Sequence, residues 1–334
     1  MGERGGRRGS GSSLPRMTAS ARTAATASLF HPDLAIGRWI PPVSLGPRLL
    51  RLATRREAVG GEAPADLLVE DVEIPGADGA PPIRARSYRP PILRGSAPAL
   101  LWVHGGGMVL GSRFQDEASN IAFARTLGIT VLSVDYRLSP AHPAPAALED
   151  VLAAFHWLVE HADERGVDPT RIAIGGASAG AGLAAGATLL AHDRGGAQPA
   201  FQLLVYPMLD DRTVTRPGPT PPGVRVWTPG SNRFGWTSYL GTEPGGADVS
   251  PYAAPARRDD LTGLPPAWIG VGTLDLFHDE DVRYAERLRA AGVPCELEIV
   301  QGAFHGFDAL FRRTGVAKRF WAAQAAALGA ALAP

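Results

Sequence analysis

From Leu67 onward the chain alternates between short β-branched or apolar runs and longer alanine-rich stretches with helical spacing. The short runs predict strands at 68–74, 83–88, 99–103, 130–134, 171–174, 201–205, 268–271 and 296–300. The longer stretches predict helices at 116–126, 144–161, 178–192, 279–291 and 316–332. The runs at 100–103, 131–134 and 201–205 are almost continuously apolar, as strands buried on both faces of a parallel sheet must be. Strands alternating with helices predict a layered α/β fold with right-handed crossovers. No helix separates the first two strands, which therefore predict an antiparallel pair at one sheet edge.

Two segments break the alternation. Residues 23–65 hold Trp39, Ile40, Leu49 and Leu50 with no strand pattern, and residues 207–255 are rich in proline and glycine yet carry Trp227, Phe234, Trp236 and Tyr239. A stretch of that length is too long for an ordinary loop, and its aromatics need something to pack on. The expectation is that both segments pack together as a cap over one end of the sheet. The core then comprises 66–206 and 256–334, and residues 1–22, with five Arg among many Gly and Ser, form a mobile tail.

Composition narrows the function classes. Of 334 residues 45% are hydrophobic, enough for a large buried core. Lys+Arg and Asp+Glu are 33 each, so no net charge draws the chain to nucleic acid or an anionic membrane. Cys295 is the one cysteine, which excludes an internal disulfide, and its parity with Leu297 and Ile299 predicts a core-facing, inert thiol. No apolar run reaches membrane-spanning length. Arg7-Arg8 is a twin-arginine pair without a sustained apolar segment after it, so the expected location is cytoplasmic.

The chemistry sits at strand ends. Gly176-Ala177-Ser178-Ala179-Gly180 joins a predicted strand to a small-residue helix and fits G-x-S-x-G. A serine there stands on a tight turn with its hydroxyl projecting from the sheet edge, and glycine at 176 and 180 leaves room for the neighbouring backbone. The same layout also opens a dinucleotide-binding unit, but the glycine spacing is not G-x-G-x-x-G. Earlier, His104-Gly105-Gly106-Gly107 follows a predicted strand. Gly105 shapes that turn, and the amides of Gly106, Gly107 and Ala179 are candidate oxyanion donors.

A base must reach the nucleophile from the same edge. His305, flanked by Gly302 and Gly306 after the last strand, fits best. His156, His161 and His192 fall on helices, His142 lies in a proline-rich turn, and His278 is too near the candidate acid. That acid is Asp275, at the end of the seventh strand; its rival Asp279 reads as a first-turn helix acid. The order Ser178, Asp275, His305 is the one α/β-hydrolases use. No H-x-x-x-H pair suggests a catalytic metal.

Together, His104 to Gly107, Asp135-Tyr-Arg-Leu138, Gly176 to Gly180, Asp275-Leu-Phe-His-Asp279 and His305-Gly-Phe307 resemble the bacterial hormone-sensitive-lipase family of esterases. The resemblance spans nearly all of 30–330. It implies an α/β-hydrolase fold, with a mostly parallel eight-stranded sheet, flanking helices and a helical cap built from the two irregular segments. It implies a carboxylesterase acting on short- to medium-chain esters without cofactor or metal, and a homodimer through the last strand's edge. Two departures stand out: Ala177 replaces the usual Asp or Thr before the nucleophile, and Ala141 replaces a glutamate. Glu149 and Asp150 match the family and read as structural. Trp39, Trp227, Phe234 and Trp236 are candidate substrate-pocket residues or plain cap core. Amide or lactone hydrolysis on the same triad, and a non-catalytic small-molecule receptor on the same fold, are the alternatives.

Overall fold

The computed structural model describes residues 1, 29–53, 59–91, 96–218 and 220–334. The expected tail at 1–22 lies, but for its first residue, outside the described residues. One eight-stranded sheet runs through the molecule in the order β1-β2-β4-β3-β5-β6-β7-β8. The strands are β1 (Leu68–Ile74), β2 (Ile83–Arg89), β3 (Ala97–Val103), β4 (Thr130–Val134), β5 (Val167–Ala177), β6 (Gln202–Val205), β7 (Ala267–Gly272) and β8 (Cys295–Val300). β1 pairs antiparallel with β2, as the missing helix requires, and β2 pairs antiparallel with β4. Every other pairing is parallel. The helices are α1 (Pro47–Ala53), α2 (Glu117–Leu127), α3 (Ala146–Glu160), α4 (Ala179–Arg194), α5 (Pro229–Leu240), α6 (His278–Ala290), α7 (Phe307–Leu310) and α8 (Gly315–Ala331).

Strand periodicity splits the core in two. On β3, Ala99, Leu101 and Val103 face one cluster with α3, α4 and α6, while Leu100 and Trp102 face the other with α2 and α8. α4 is buried along almost its whole length. Gly180, Gly182 and Gly186 let it touch backbone directly: a Cβ on them would stand 2.1 Å from the Val103 carbonyl oxygen, 2.2 Å from that of Met208 and 2.2 Å from that of Tyr252.

The two irregular segments meet. Ser44 Oγ lies 2.7 Å from Thr228 Oγ1, the Leu45 amide donates to Ser231 Oγ at 2.8 Å, and Arg225 donates to the Arg38 carbonyl at 3.1 Å. The second segment contains α5, started by Thr228, whose hydroxyl accepts from the Ser231 amide, and ended by Gly241 at φ 70°. Glu149 and Asp150 match their expected structural roles: Asp150 anchors the loop through Arg137 at 2.7 Å and Glu149 ties α3 to Arg194 of α4 at 2.8 Å. One expectation needs correcting. β8 ends the sheet, so Cys295 and Leu297 are only half-buried and Ile299 is exposed. Burial still pushes the thiol up to about 11, away from the nucleophilic thiolate form. Among the described residues no helix is long and apolar enough to cross a membrane.

Candidate active site

Ser178 stands between β5 and α4 with φ 57° and ψ −121°, backbone that side chains other than glycine rarely adopt. Its amide donates to the Val205 carbonyl at 2.8 Å, and its carbonyl accepts from Gly182 at 3.0 Å and Met208 at 3.1 Å. These bonds hold the turn against its own strain. The glycines around it are needed for contact: a Cβ on Gly176 would lie 2.4 Å from the Val103 carbonyl oxygen.

The three polar side chains expected from the sequence converge. Ser178 Oγ lies 2.9 Å from His305 Nε2, and His305 Nδ1 lies 2.8 Å from Asp275 Oδ2. The other carboxylate oxygen, Oδ1, accepts from the Phe277 amide at 3.0 Å. All three residues are buried. With Nδ1 donating to the carboxylate, Nε2 is left as the acceptor facing the hydroxyl, which is the tautomer a general base needs. Tyr206 and Phe277 stand edge-on to the imidazole at 4.7 and 5.3 Å between ring centres and fix its plane. Asp279 plays a different part, in the first turn of α6, exposed and paired with His278 and Arg216.

Beside the serine runs the glycine loop. Among the described residues the amides of Gly106 and Gly107 have no protein acceptor, and Ala179 is the first residue of α4, whose leading amides lack partners within the helix. Gly106 at φ 115° and Gly107 at φ 63° hold a turn that favours glycine. Gly105 is needed for closeness, since a Cβ there would lie 3.3 Å from that of Ser178. His104 supports the loop from behind. Its Nδ1 lies 2.8 Å from the Gly105 carbonyl, its ring stacks on Tyr136 at 4.2 Å, and burial lowers its pKa to about 4, which keeps it neutral.

A cavity of about 380 Å³ opens on this set. Of the four aromatics picked from the sequence, Trp227 is in its wall; Trp39, Phe234 and Trp236 are not. Trp39 is exposed, Phe234 half-buried, and Trp236 wholly buried against Tyr239 in the apolar core that also holds α3 and α4. The sequence reading missed Val43, Leu45, Leu49, Tyr206, Val226 and Asp116 as lining. Tyr206 alone carried a signal: it follows β6 at the carboxyl edge, where α/β sites lie.

A serine, an imidazole and a carboxylate in series beside open amides on this fold define a serine hydrolase. Comparison with known proteins agrees. Residues 100–309 match the family model described as alpha/beta hydrolase fold. Carboxylesterase NlhH of Mycobacterium tuberculosis is 38% identical over 272 residues, 78% of this chain and 82% of that protein. Carboxylic ester hydrolase LipN of the same species is 42% identical over 252 residues, 74% of this chain and 66% of that protein. The structure of a bacterial heroin esterase superposes with a TM-score of 0.82 at 36% identity, covering 92% of this chain and all of that one. The chain belongs to the α/β-hydrolase family, in its hormone-sensitive-lipase-like group of esterases.

Proposed function

We propose that this carboxylic ester hydrolase works on short- to medium-chain esters by acyl transfer through Ser178. His305 takes the hydroxyl proton as Oγ attacks the ester carbonyl, and Asp275 stabilises the imidazolium that forms. The amides of Gly106, Gly107 and Ala179 receive the oxyanion, with Gly105 shaping their turn. Collapse of the tetrahedral intermediate expels the alcohol, protonated by His305, and leaves the acyl group on Oγ. Water, deprotonated by His305, then releases the acid and restores the serine. The observation that carries this reading is the unbroken hydrogen-bond series of 2.9 and 2.8 Å from Oγ through the imidazole to the carboxylate. A receptor would not need it. A cavity of about 380 Å³ is at the small end of ligand sites, in keeping with short chains.

The test is Ser178→Ala. The variant should fold with an unchanged melting temperature, fail to bind a fluorophosphonate, and lose hydrolysis of p-nitrophenyl butyrate by at least about 10³-fold. Activity retained by this variant refutes the assignment. A homodimer through the β8 edge and a cytoplasmic location complete the proposal. Sedimentation and cell fractionation test them.

A further inference from the structure

Asp116 lines the same cavity as Ser178 and His305, and nothing in the acyl-transfer chemistry uses it. Among the described residues no Lys or Arg lines that cavity, and no cation pairs with Asp116. The residue occupies the N-cap of α2, where an aspartate ordinarily turns back to accept from first-turn amides. Here the side chain makes no capping bond. One oxygen instead accepts from Trp102 Nε1 at 2.9 Å, which pins the carboxyl at the cavity wall. Asp116 is near enough to the Asp308 carboxyl and to the neutral Tyr206 hydroxyl to act on both electrostatically. Tyr206 is the ring set edge-on to His305, and its hydroxyl donates to Asp308 at 2.9 Å. The carboxylate therefore stands beside the triad, with the aromatic rings of Tyr206 and Trp227 in the same wall. A half-buried carboxylate without a cation, in a wall that also carries two aromatic rings, is an environment that attracts an ammonium group.

Resting on the ester-hydrolase reading, we propose that Asp116 is a specificity-determining residue that selects esters carrying a cationic ammonium group. Burial pushes its carboxyl up to about 6 against the pull of the Trp102 N–H, so it is an anion at pH 8. An ester with a quaternary ammonium a few bonds from its carbonyl supplies the missing counter-charge, and an ester with a carboxylate there is repelled.

The experiment compares acetylcholine with its uncharged carbon isostere, 3,3-dimethylbutyl acetate, at pH 8 in wild-type and Asp116→Asn enzyme. Asparagine keeps an acceptor for Trp102 and removes the charge. The quantity read is the ratio of kcat/KM for the two esters within each enzyme, so a general loss of activity cancels. The wild type should favour the cation by about tenfold, the size of one well-made charge contact, and the variant should bring the ratio near one. A wild-type ratio of one or below overturns the proposal, as does a preference that Asp116→Asn leaves intact. Should the variant misfold, tetramethylammonium chloride should inhibit wild-type hydrolysis of the neutral ester more strongly than sodium chloride at equal ionic strength, and equal inhibition overturns it. Failure of the underlying reading looks different: neither acetate is hydrolysed and no phosphonate labels the wild type, and the proposal falls with it.

Discussion

Gly180→Ala sets packing against chemistry in one substitution. Gly180 is in the first turn of α4, two residues after Ser178. Its φ is not positive, so alanine meets no backbone penalty there. What it meets is the end of β3, because its Cβ would stand 2.1 Å from the Val103 carbonyl oxygen and 2.4 Å from that of His104. Cβ atoms essentially never come closer than 3.0 Å, so the turn must retreat by about 1 Å. Alanine recovers about 1 kcal/mol of helix propensity, and overpacking costs about 1–3 kcal/mol, leaving a net loss of up to about 2 kcal/mol. Catalysis should lose more. Ser178 moves with the turn, and a 1 Å misplacement costs about 10²-fold, equivalent to about 2.7 kcal/mol of barrier. The control is Gly186→Ala, six residues further along α4, where the Cβ would press on the Tyr252 carbonyl at 2.2 Å. It should show a comparable loss of stability with kcat within about threefold of wild type. Thermal unfolding gives the first quantity, and steady-state hydrolysis of p-nitrophenyl butyrate gives the second. If Gly180→Ala stays within about threefold of wild-type kcat/KM, or Gly186→Ala loses as much as it does, the coupling of α4 to the nucleophile is refuted.

Other outcomes follow from the same structure. Trp227 closes the cavity over the glycine loop, its ring 2.2 Å from where a Cβ on Gly107 would stand, so Trp227→Ala should shift the optimum of a p-nitrophenyl ester series to longer acyl chains. An unmoved optimum would place the acyl group elsewhere. Asp281 on α6 is fully buried with neither carboxylate oxygen hydrogen-bonded among the described residues, and burial raises its pKa well above 3.8. Asp281→Ala removes an unsatisfied group and should stabilise by about 1–3 kcal/mol, read as a higher Tm. A raised acid favours the folded state only while protonated, so wild-type stability falls as pH climbs above the ordinary carboxyl range. The advantage of Asp281→Ala should therefore grow from pH 4 upward, and an advantage that shrinks would show that the carboxylate is satisfied.

The sheet and the convergence of Ser178, Asp275 and His305 were legible because each rests on a local rule. All eight strands appear as apolar or alternating runs, and the Ser178 turn, the glycines at 105–107 and the glycine-flanked His305 announce themselves by the glycines that tight turns and close approaches require around them. β5 runs from Val167, ahead of the apolar stretch at 171–174, because polar residues join it where it pairs with β3 beside Ala97. α5 was illegible for the opposite reason. Two glycines, two serines, an asparagine and a threonine make it a poor helix by propensity, and it forms because Trp236 and Tyr239 are wholly buried. Its start was written nonetheless, in Thr228 as N-cap and Pro229 after it. The cavity wall was the least readable part. Val43 and Leu45 come from one segment and Val226 from another about 180 residues away, and nothing periodic marks them.

Backbone strain gathers where the chemistry is. Among the described residues Met108, Ser178, Tyr206 and Val226 are the non-glycine residues with positive φ. Three of them line the cavity beside Ser178 and His305, and Met108 directly follows Gly107. Such backbone costs on the order of 1–3 kcal/mol at each position, and it persists only where the surroundings over-determine it. They do so here: the Ser178 turn is held by Val205, Gly182 and Met208, the Tyr206 amide donates to Gly270 at 2.7 Å, and the Met108 carbonyl accepts from Ser139 at 2.8 Å. Glycine would relieve each strain at once, yet three of the four side chains are what the cavity is made of: the Ser178 hydroxyl, the Tyr206 ring against His305 and the apolar Val226 wall. At Ser178 and Tyr206 the buried sheet thus sustains an unfavourable local backbone so that the hydroxyl and the ring can be presented at one strand edge, and that distribution ties the stability of the core to the geometry of the site.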